Sequence, residues 1–295
     1  MTRSRYAQVE YIREPEFLYC GADAVGAAAH AVARGWSMRA ARCLTAVERA
    51  VPDSCTEIYF SLGPFGRHLV GPDAARASIE PRAAWVVGPH ADSIFLSKEV
   101  TACDLVAVRV LPGMIPSVLG VSAGEVSGTL LDLDLFWGRG AVEQLRERLF
   151  DETDALARVR MLETEVARRS LASTHDSRRL RELCIAVEQV PSPTVGVIAR
   201  RFGLSHRRMI SLFDDHIGLK PKVYQRIQRL RAVLERVAAD GVGSWARVAY
   251  EGGYCDQAHL VNEFQRLTGM TPTFYQQSKS PVGAGMLRHA LADPA

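Results

Sequence analysis

Short apolar runs rich in β-branched and aromatic residues fill the first 140 or so residues, and pairs of glycine and proline separate them. Four of these runs predict strands, at 56–63, 83–90, 93–100 and 103–113. The glycine–proline pairs between them are typical of turns. An alanine-rich stretch, 23–36, predicts a helix that covers the strands. The pattern therefore indicates a β-rich domain built as a small barrel or sandwich.

The period of the pattern changes after residue 140. Between 141 and 169 the apolar residues recur at spacings of three, four and seven, which predicts one or two amphipathic helices. Two interpretations stay open: the apolar stripe packs on its own domain, or it meets a second copy of the chain in a dimer. Residues 171–178 are polar and predict a linker, and the small-residue-rich segment 278–295 predicts a flexible tail.

One short pattern occurs twice in the C-terminal part of the chain. The sequence reads FDDHIGLKPKVY at 213–224 and FQRLTGMTPTFY at 264–275. Phenylalanine, glycine, an apolar residue, proline and tyrosine recur in the same order. A unit that is used twice predicts a task that is performed twice.

The residues upstream of each repeat predict a helix, a tight turn and a second helix. Each unit begins with a hydroxyl residue suited to an N-cap, Thr194 or Ser244. Each then reaches a glycine where the turn needs a left-handed residue, Gly203 or Gly253. New caps follow at Ser205 and at Asp256 (or Cys255), and inward-facing residues are expected at Met209, Leu212, Phe213, Leu260 and Phe264. This is the pattern of a helix-turn-helix, whose second helix enters a major groove.

A connecting helix, 221–238, separates the two units. A buried stripe is expected at Val223, Ile227, Leu230, Leu234 and Val237, and hydrated side chains at Arg226, Arg229 and Arg236. Such a helix spans about 27 Å at about 1.5 Å for each residue. This length approaches the separation of about 34 Å between successive major grooves on one face of DNA.

Residues 179–277 resemble the DNA-binding domain of the AraC/XylS family of transcription regulators. The segments that carry the resemblance are IARRFGLS, FDDHIGLKP, VAYEGGYCDQAHLVNEF and GMTPTFY. A looser resemblance, to an uncharacterised N-terminal domain found in many such regulators, rests on ERAVPDSCTEIYFSLG, VVGPH, VRVLPGMIPSVLG and LLDLDLFWG. Together they imply an α+β chain with a regulatory, effector-sensing and dimerisation domain at 1–170, including the helical segment 141–169. A DNA-binding domain follows, with helix-turn-helix units at 194–216 and 244–267.

The resemblance implies which side chains touch DNA. Base contacts are expected at His206, Arg207, Arg208, Ile210, Ser211, Gln257, Ala258, His259, Val261 and Asn262. Arg207 suits guanine, because a guanidinium binds O6 and N7 together, whereas Gln257 or Asn262 suits adenine. Phosphate contacts are expected at Thr194, Lys220, Lys222, Arg226, Arg229, Ser244 and Arg247. Ile210, Ser211, Val261 and Asn262 stand where many relatives have long polar or basic residues.

Charge supports a polyanionic partner for the C-terminal part. The net charge is +3, and from residue 172 onward basic residues outnumber acidic ones by 17 to 11. No apolar run is long enough for a membrane span, and the N-terminus lacks the apolar block of a secretory signal. We therefore expect a cytoplasmic protein. The resemblance implies a homodimer that acts on double-stranded DNA, with a small-molecule effector and RNA polymerase as further partners.

The N-terminal domain has two interpretations, a dimerisation module or a barrel that holds an effector. An effector pocket is expected at Trp36, Tyr59, Phe60, Trp85 and Phe95, although each of these residues also suits a plain core. No catalytic, cofactor or metal motif occurs, so we expect a non-enzyme without a cofactor. A cluster of Cys43, Cys55 and Cys103 that senses oxidants or metals is a lesser alternative. The resemblance favours an effector-responsive activator; a ligand-independent repressor, or an enzymatic N-terminal domain localised by the DNA-binding domain, stays open.

Overall fold

The computed structural model confirms the predicted α+β class, with an N-terminal antiparallel sheet domain and a C-terminal helical region. It describes residues 9–14, 16–41, 47–52, 54–63, 67–70, 83–98, 102–170, 176–189, 193–240 and 244–277. The tail at 278–295, most of the linker and Cys43 lie outside the described residues. None of the helices in these ranges has the length and hydropathy that a membrane crossing requires.

In the described part of the chain, ten strands form two antiparallel sheets. The seven-stranded sheet has the order β1-β2-β3-β9-β5-β7-β10, and the three-stranded sheet has the order β4-β8-β6. Among the described strands no pairing joins β1 to β10, so closure into a barrel is not seen. The strands are β1 (Val9–Glu14), β2 (Phe17–Asp23), β3 (Val32–Ala40), β4 (Val47–Ala50), β5 (Thr56–Ser61), β6 (Arg67–Val70), β7 (Ala84–Val87), β8 (Ile94–Lys98), β9 (Cys103–Val110) and β10 (Leu130–Asp132).

The prediction of a helix at 23–36 is wrong. Only Gly26–His30 is helical there, as one short 3₁₀ turn, and Val32–Ala40 is the third strand. This strand pairs with β2 on one side and β9 on the other, for example at Trp36, which lies opposite Gly21 and Ala107. The helix propensity of alanine differs from that of other ordinary residues by at most about 0.7 kcal/mol per residue. Two ladders of hydrogen bonds outweigh this difference.

The N-terminal helices cover one face of the large sheet. They are α1 (Ile115–Leu119), α2 (Ala123–Val126), α3 (Asp134–Trp137), α4 (Arg139–Asp151) and α5 (Ala155–Ser170). The predicted apolar stripe is buried in this domain, with Leu149, Val159, Leu162 and Val166 fully shielded from solvent. Of the two open interpretations, the structure shows the stripe packed on its own domain, so a dimer through these helices would need their outer faces.

The C-terminal region is wholly helical in its described parts. Its helices are α6 (Asp176–Glu188), α7 (Val195–Arg201), α8 (His206–Ile217), α9 (Pro221–Asp240), α10 (Trp245–Glu251), α11 (Gln257–Thr268) and α12 (Pro272–Gln277). The first of these begins inside the segment that the sequence predicted as a linker. Two separate cores share α9: Tyr224 and Ile227 belong to the first, and Leu230 and Leu234 belong to the second.

Candidate nucleic-acid interface

The first unit is a helix-turn-helix made by α7 and α8. Thr194 caps α7, because its side chain accepts a hydrogen bond from the backbone N–H of Val197. Gly203 follows with a φ of +67°, which allows the chain to turn sharply. Ser205 then caps α8 by accepting a hydrogen bond of 3.1 Å from the N–H of Arg208. The caps and the turn therefore lie where the sequence predicted them.

The second unit repeats this arrangement with α10 and α11. Its turn glycine, Gly253, has a φ of +72°. Asp256, rather than Cys255, caps α11, since its carboxylate accepts a hydrogen bond of 2.7 Å from the N–H of His259. Ser244 precedes α10, but its side chain makes no capping hydrogen bond.

The repeated phenylalanine and tyrosine close the core of each unit in the same way. Phe213 packs edge-on against Tyr224 with ring centroids 5.5 Å apart, and Phe264 packs against Tyr275 at the same separation. All four side chains are at most 2% exposed. Edge-to-face pairs of this kind add about 0.5–1.5 kcal/mol to the burial of the rings. The sequence repeat is thus a repeated core contact that holds a second helix in place.

The inward-facing residues largely follow the prediction. Met209 and Leu260 are fully buried, whereas Leu212, which was also expected to point inward, is only partly buried. The faces opposite these residues are left to solvent at the start of each second helix. We call α8 and α11 the recognition helices.

The first recognition helix exposes three basic residues at its start. His206, Arg207 and Arg208 are exposed, while Ile210 and Ser211 are partly buried. Ser211 donates a hydrogen bond of 3.1 Å to the carboxylate of Asp215 on the same helix. The first turn of α8 is therefore its most accessible part.

The second recognition helix exposes Gln257, Ala258 and Asn262, while His259 and Val261 are partly buried. The ring of His259 lies edge-on to that of Tyr254, with centroids 5.2 Å apart. Burial raises the pKa of the Tyr254 phenol, so this ring stays neutral.

A groove of about 480 Å³ runs between α9 and α11, and we call it the basic groove. Its lining residues come from these two helices and are Lys222, Arg226, Arg229, His259, Asn262, Glu263 and Arg266. The structure thus brings three predicted phosphate contacts beside two predicted base contacts. Glu263 and Arg266 were not predicted, because nothing in the sequence pattern shows that they face α9.

The arginines of α9 are not simply hydrated, as the sequence had suggested. Arg226 pairs with Glu263 at 3.1 Å, with the two side chains only 17% and 10% exposed. Arg229 lies over the ring of Tyr254 at 5.2 Å, and Arg236 pairs with Glu251. Long basic side chains can pack their apolar stems against a neighbour while their charged groups form ion pairs or lie over a ring. These contacts therefore hold α9 against the second unit.

The other predicted phosphate contacts are accessible. Thr194, Lys220, Ser244 and Arg247 are all exposed, as is Lys222 in the basic groove. Arg247 also pairs with Glu251 at 3.0 Å, one helical turn away.

The predicted effector-pocket residues are divided between two faces of the large sheet. Trp36, Tyr59 and Trp85 form one cluster, in which Tyr59 stacks on Trp85 with centroids 5.1 Å apart. Phe60 lies on the other face, since neighbouring residues of a strand point to opposite sides. The side chain of Phe95 lies outside the described residues.

The predicted cysteine cluster is described only in part. Cys55 and Cys103 are buried, and Cys43 lies outside the described residues. In the described part of the chain, no three histidine, cysteine or acidic side chains are grouped as a metal ion would require.

Comparison with protein families now identifies the C-terminal fold. The model of the helix-turn-helix domain matches residues 198–278, which include both recognition helices. These residues form an AraC-type helix-turn-helix domain. This match supports a DNA-binding role for the C-terminal region. No curated protein matches the chain in sequence.

Solved structures of ToxT from Vibrio cholerae are similar to this chain. A crystal form of ToxT is 11% identical, with a TM-score of 0.48, and the match covers 82% of this chain and 97% of that one. Wild-type ToxT bound to an unsaturated fatty acid is 11% identical, with a TM-score of 0.47 and coverage of 90% and 97%.

Proposed function

We propose that the chain binds double-stranded DNA sequence-specifically, with α8 and α11 in successive major grooves. The observation that carries this proposal is that both recognition helices start with exposed polar turns on units joined by one helix. That helix, α9, has 20 residues and is therefore about 30 Å long, close to the distance of about 34 Å between grooves.

Three exposed side chains are proposed to read bases. We propose that Arg207 binds guanine through two parallel hydrogen bonds, and that Gln257 or Asn262 binds adenine. Each good bidentate pair contributes about 1–3 kcal/mol of discrimination against the wrong base. The partly buried Ile210 and Val261 are proposed to contact thymine methyl groups.

The basic groove is proposed to follow the phosphate backbone. Lys222, Arg226 and Arg229 line it beside Asn262, so a strand held there would lie next to the second recognition helix. Lys220 and Arg247 are proposed to contact phosphates outside the groove. Phosphate contacts fix the register of a protein on DNA without specifying the sequence.

Selection of binding sites from random DNA with the full chain tests this proposal. Arg207→Ala should relax the preference at one base position by about 5- to 150-fold, which corresponds to about 1–3 kcal/mol. Arg207→Lys should lose most of the same preference, because lysine keeps the charge but cannot form the fork. Arg139→Ala, which removes an exposed arginine from α4, is the control. Enrichment of the same bases by Arg207→Ala as by the wild type would reject the assignment.

For the domain at 1–170 we propose a regulatory role, as an effector-responsive activator that acts as a homodimer and contacts RNA polymerase. The support is that this domain has its own core and also contacts the DNA-binding domain at 179–277. A reporter gene placed behind the selected site tests the sign of regulation. Expression of the reporter should fall when the gene that encodes the chain is deleted, whereas a rise would indicate a repressor. Sedimentation equilibrium tests the dimer.

A further inference from the structure

Both recognition helices end against the N-terminal domain. The last four carbonyl groups of a helix have no partner inside it and need one from elsewhere. In α8 and α11, serine hydroxyl groups of the N-terminal domain supply some of these partners. The same kind of contact is therefore made at the same end of both helices.

The end of α8 meets α2 and the residues on either side of it. Ser122 donates a hydrogen bond of 3.4 Å to the carbonyl of Asp215, and Ser127 donates one to the carbonyl of Gly218. The approach is close, since a Cβ added to Gly218 would lie 2.6 Å from the carbonyl oxygen of Ala123. A glycine is therefore required here by space as well as by its φ of +76°.

The end of α11 meets a different part of the same domain. Ser93, which is 8% exposed, donates a hydrogen bond of 2.9 Å to the carbonyl of Leu267. Beside it, Val51 of the N-terminal domain is buried in the core of the second unit. Ser54 accepts a hydrogen bond from the side chain of Gln228, on the helix that joins the units.

The segment 89–93 touches both units through different residues, and we call it the bridging segment. Pro89 borders Gly218, Ala91 packs against the first core, and Ser93 bonds to the second recognition helix. The segment lies between β7 of the large sheet and β8 of the small sheet. It therefore connects both sheets of the N-terminal domain to both DNA-reading units.

We infer that Ser93 and Ser127 are positioning residues, which hold the two recognition helices at a fixed separation by their carboxyl ends. The inference rests on the proposed function and adds a determinant of specificity to it. The first turns of α8 and α11, with Arg207 and Gln257, stay exposed while the serines bind the opposite ends. The N-terminal domain thus sets the spacing between half-sites that the chain accepts, without touching DNA.

The test measures how strongly the full chain, as wild type and as variants, prefers one distance between the two half-sites of its DNA over another. The selected site is altered by inserting two base pairs between its halves, which rotates one half by about 70° relative to the other. The wild type should bind the original spacing far better than the altered one. In Ser93→Ala/Ser127→Ala this ratio of affinities should fall by about two- to tenfold for each lost hydrogen bond.

Ser61→Ala is the matched control, because Ser61 also donates to a backbone carbonyl, that of Gly63, but within the N-terminal domain. This variant should keep the wild-type ratio. If the double variant also keeps that ratio, the inference is overturned.

A second measurement needs no DNA. Amide hydrogen exchange should accelerate at 214–220 in Ser127→Ala and at 265–271 in Ser93→Ala, and at neither in Ser61→Ala. Failure to select any DNA sequence would refute the proposed function, whereas the exchange rates still decide whether the serines hold the helices. Unchanged rates in both variants would overturn the inference.

Discussion

Glu263→Gln is expected to weaken folding and to strengthen DNA binding at the same time. Glu263 pairs with Arg226 at 3.1 Å, and it is the one acid among the described residues that line the basic groove. Breaking a fully buried ion pair costs about 3–5 kcal/mol, whereas an exposed pair contributes at most about 1 kcal/mol. The two side chains are 17% and 10% exposed and border an open groove, so water can reach the released arginine. We therefore expect a loss of about 1–2 kcal/mol in the free energy of unfolding.

The effect on DNA binding has the opposite sign. In the wild type, the carboxylate of Glu263 offsets the charge that Arg226 brings to the groove. Once that carboxylate is neutral, the full charge of Arg226 is available to a phosphate, and the logarithm of affinity should fall more steeply with the logarithm of salt, by about 0.9. The assays are urea unfolding followed by circular dichroism, and binding of the selected DNA at several salt concentrations.

Glu235→Gln provides the matched control on the same connecting helix. Its partner Arg231 lies 3.7 Å away, and Glu235 is 55% exposed, so its loss should change stability by less than about 0.5 kcal/mol. The reasoning is refuted if both variants unfold at the same urea concentration, or if Glu263→Gln leaves the salt dependence unchanged.

Three further predictions concern stability and can be measured by urea unfolding. Gly203→Ala should lower the free energy of unfolding by about 1 kcal/mol, because its φ is +67° but no atom crowds the added methyl group. Gly218→Ala should lower it by at least about twice as much, because the carbonyl oxygen of Ala123 occupies the space that the methyl group needs. Equal losses in the two variants would contradict this. Asp256→Ala should cost about 1 kcal/mol through the lost cap of α11, and Ser244→Ala less than half of that, since its side chain makes no capping bond. Burial raises the pKa of the Cys184 thiol to about 12, whereas an exposed thiol has a pKa of about 8.5. The unfolded chain therefore loses this proton at a lower pH than the folded chain, so the free energy of unfolding should fall as pH rises from about 8.5 towards 12. Between pH 7 and pH 10, Cys184→Ala should show a smaller fall in the free energy of unfolding than the wild type.

The local parts of the structure were predictable from the sequence. The connecting helix was expected at 221–238 and is found at Pro221–Asp240. The N-caps at Thr194, Ser205 and Asp256 were identified from residue type alone. These features depend on a few neighbouring residues, so a short stretch of sequence contains the information that fixes them.

The long-range parts were not predictable in the same way. The third strand was predicted as a helix because its ladder with β9 joins residues that are far apart in the chain. The pair of Arg226 and Glu263 is 37 residues apart, and the bond from Ser93 to Leu267 spans 174. Burial of a charge depends on which elements meet, and periodicity within one element does not contain that information.

The division of α9 between two cores has a consequence for how the two helix-turn-helix units can evolve. Its first half, with Tyr224 and Ile227, packs with the first unit, and its second half, with Leu230 and Leu234, packs with the other. Mutations in the core of one helix-turn-helix unit need not disturb the other unit, because the two cores share few buried neighbours. Under the proposed function, the base preference of one unit can therefore change by mutation while the other unit keeps its own preference.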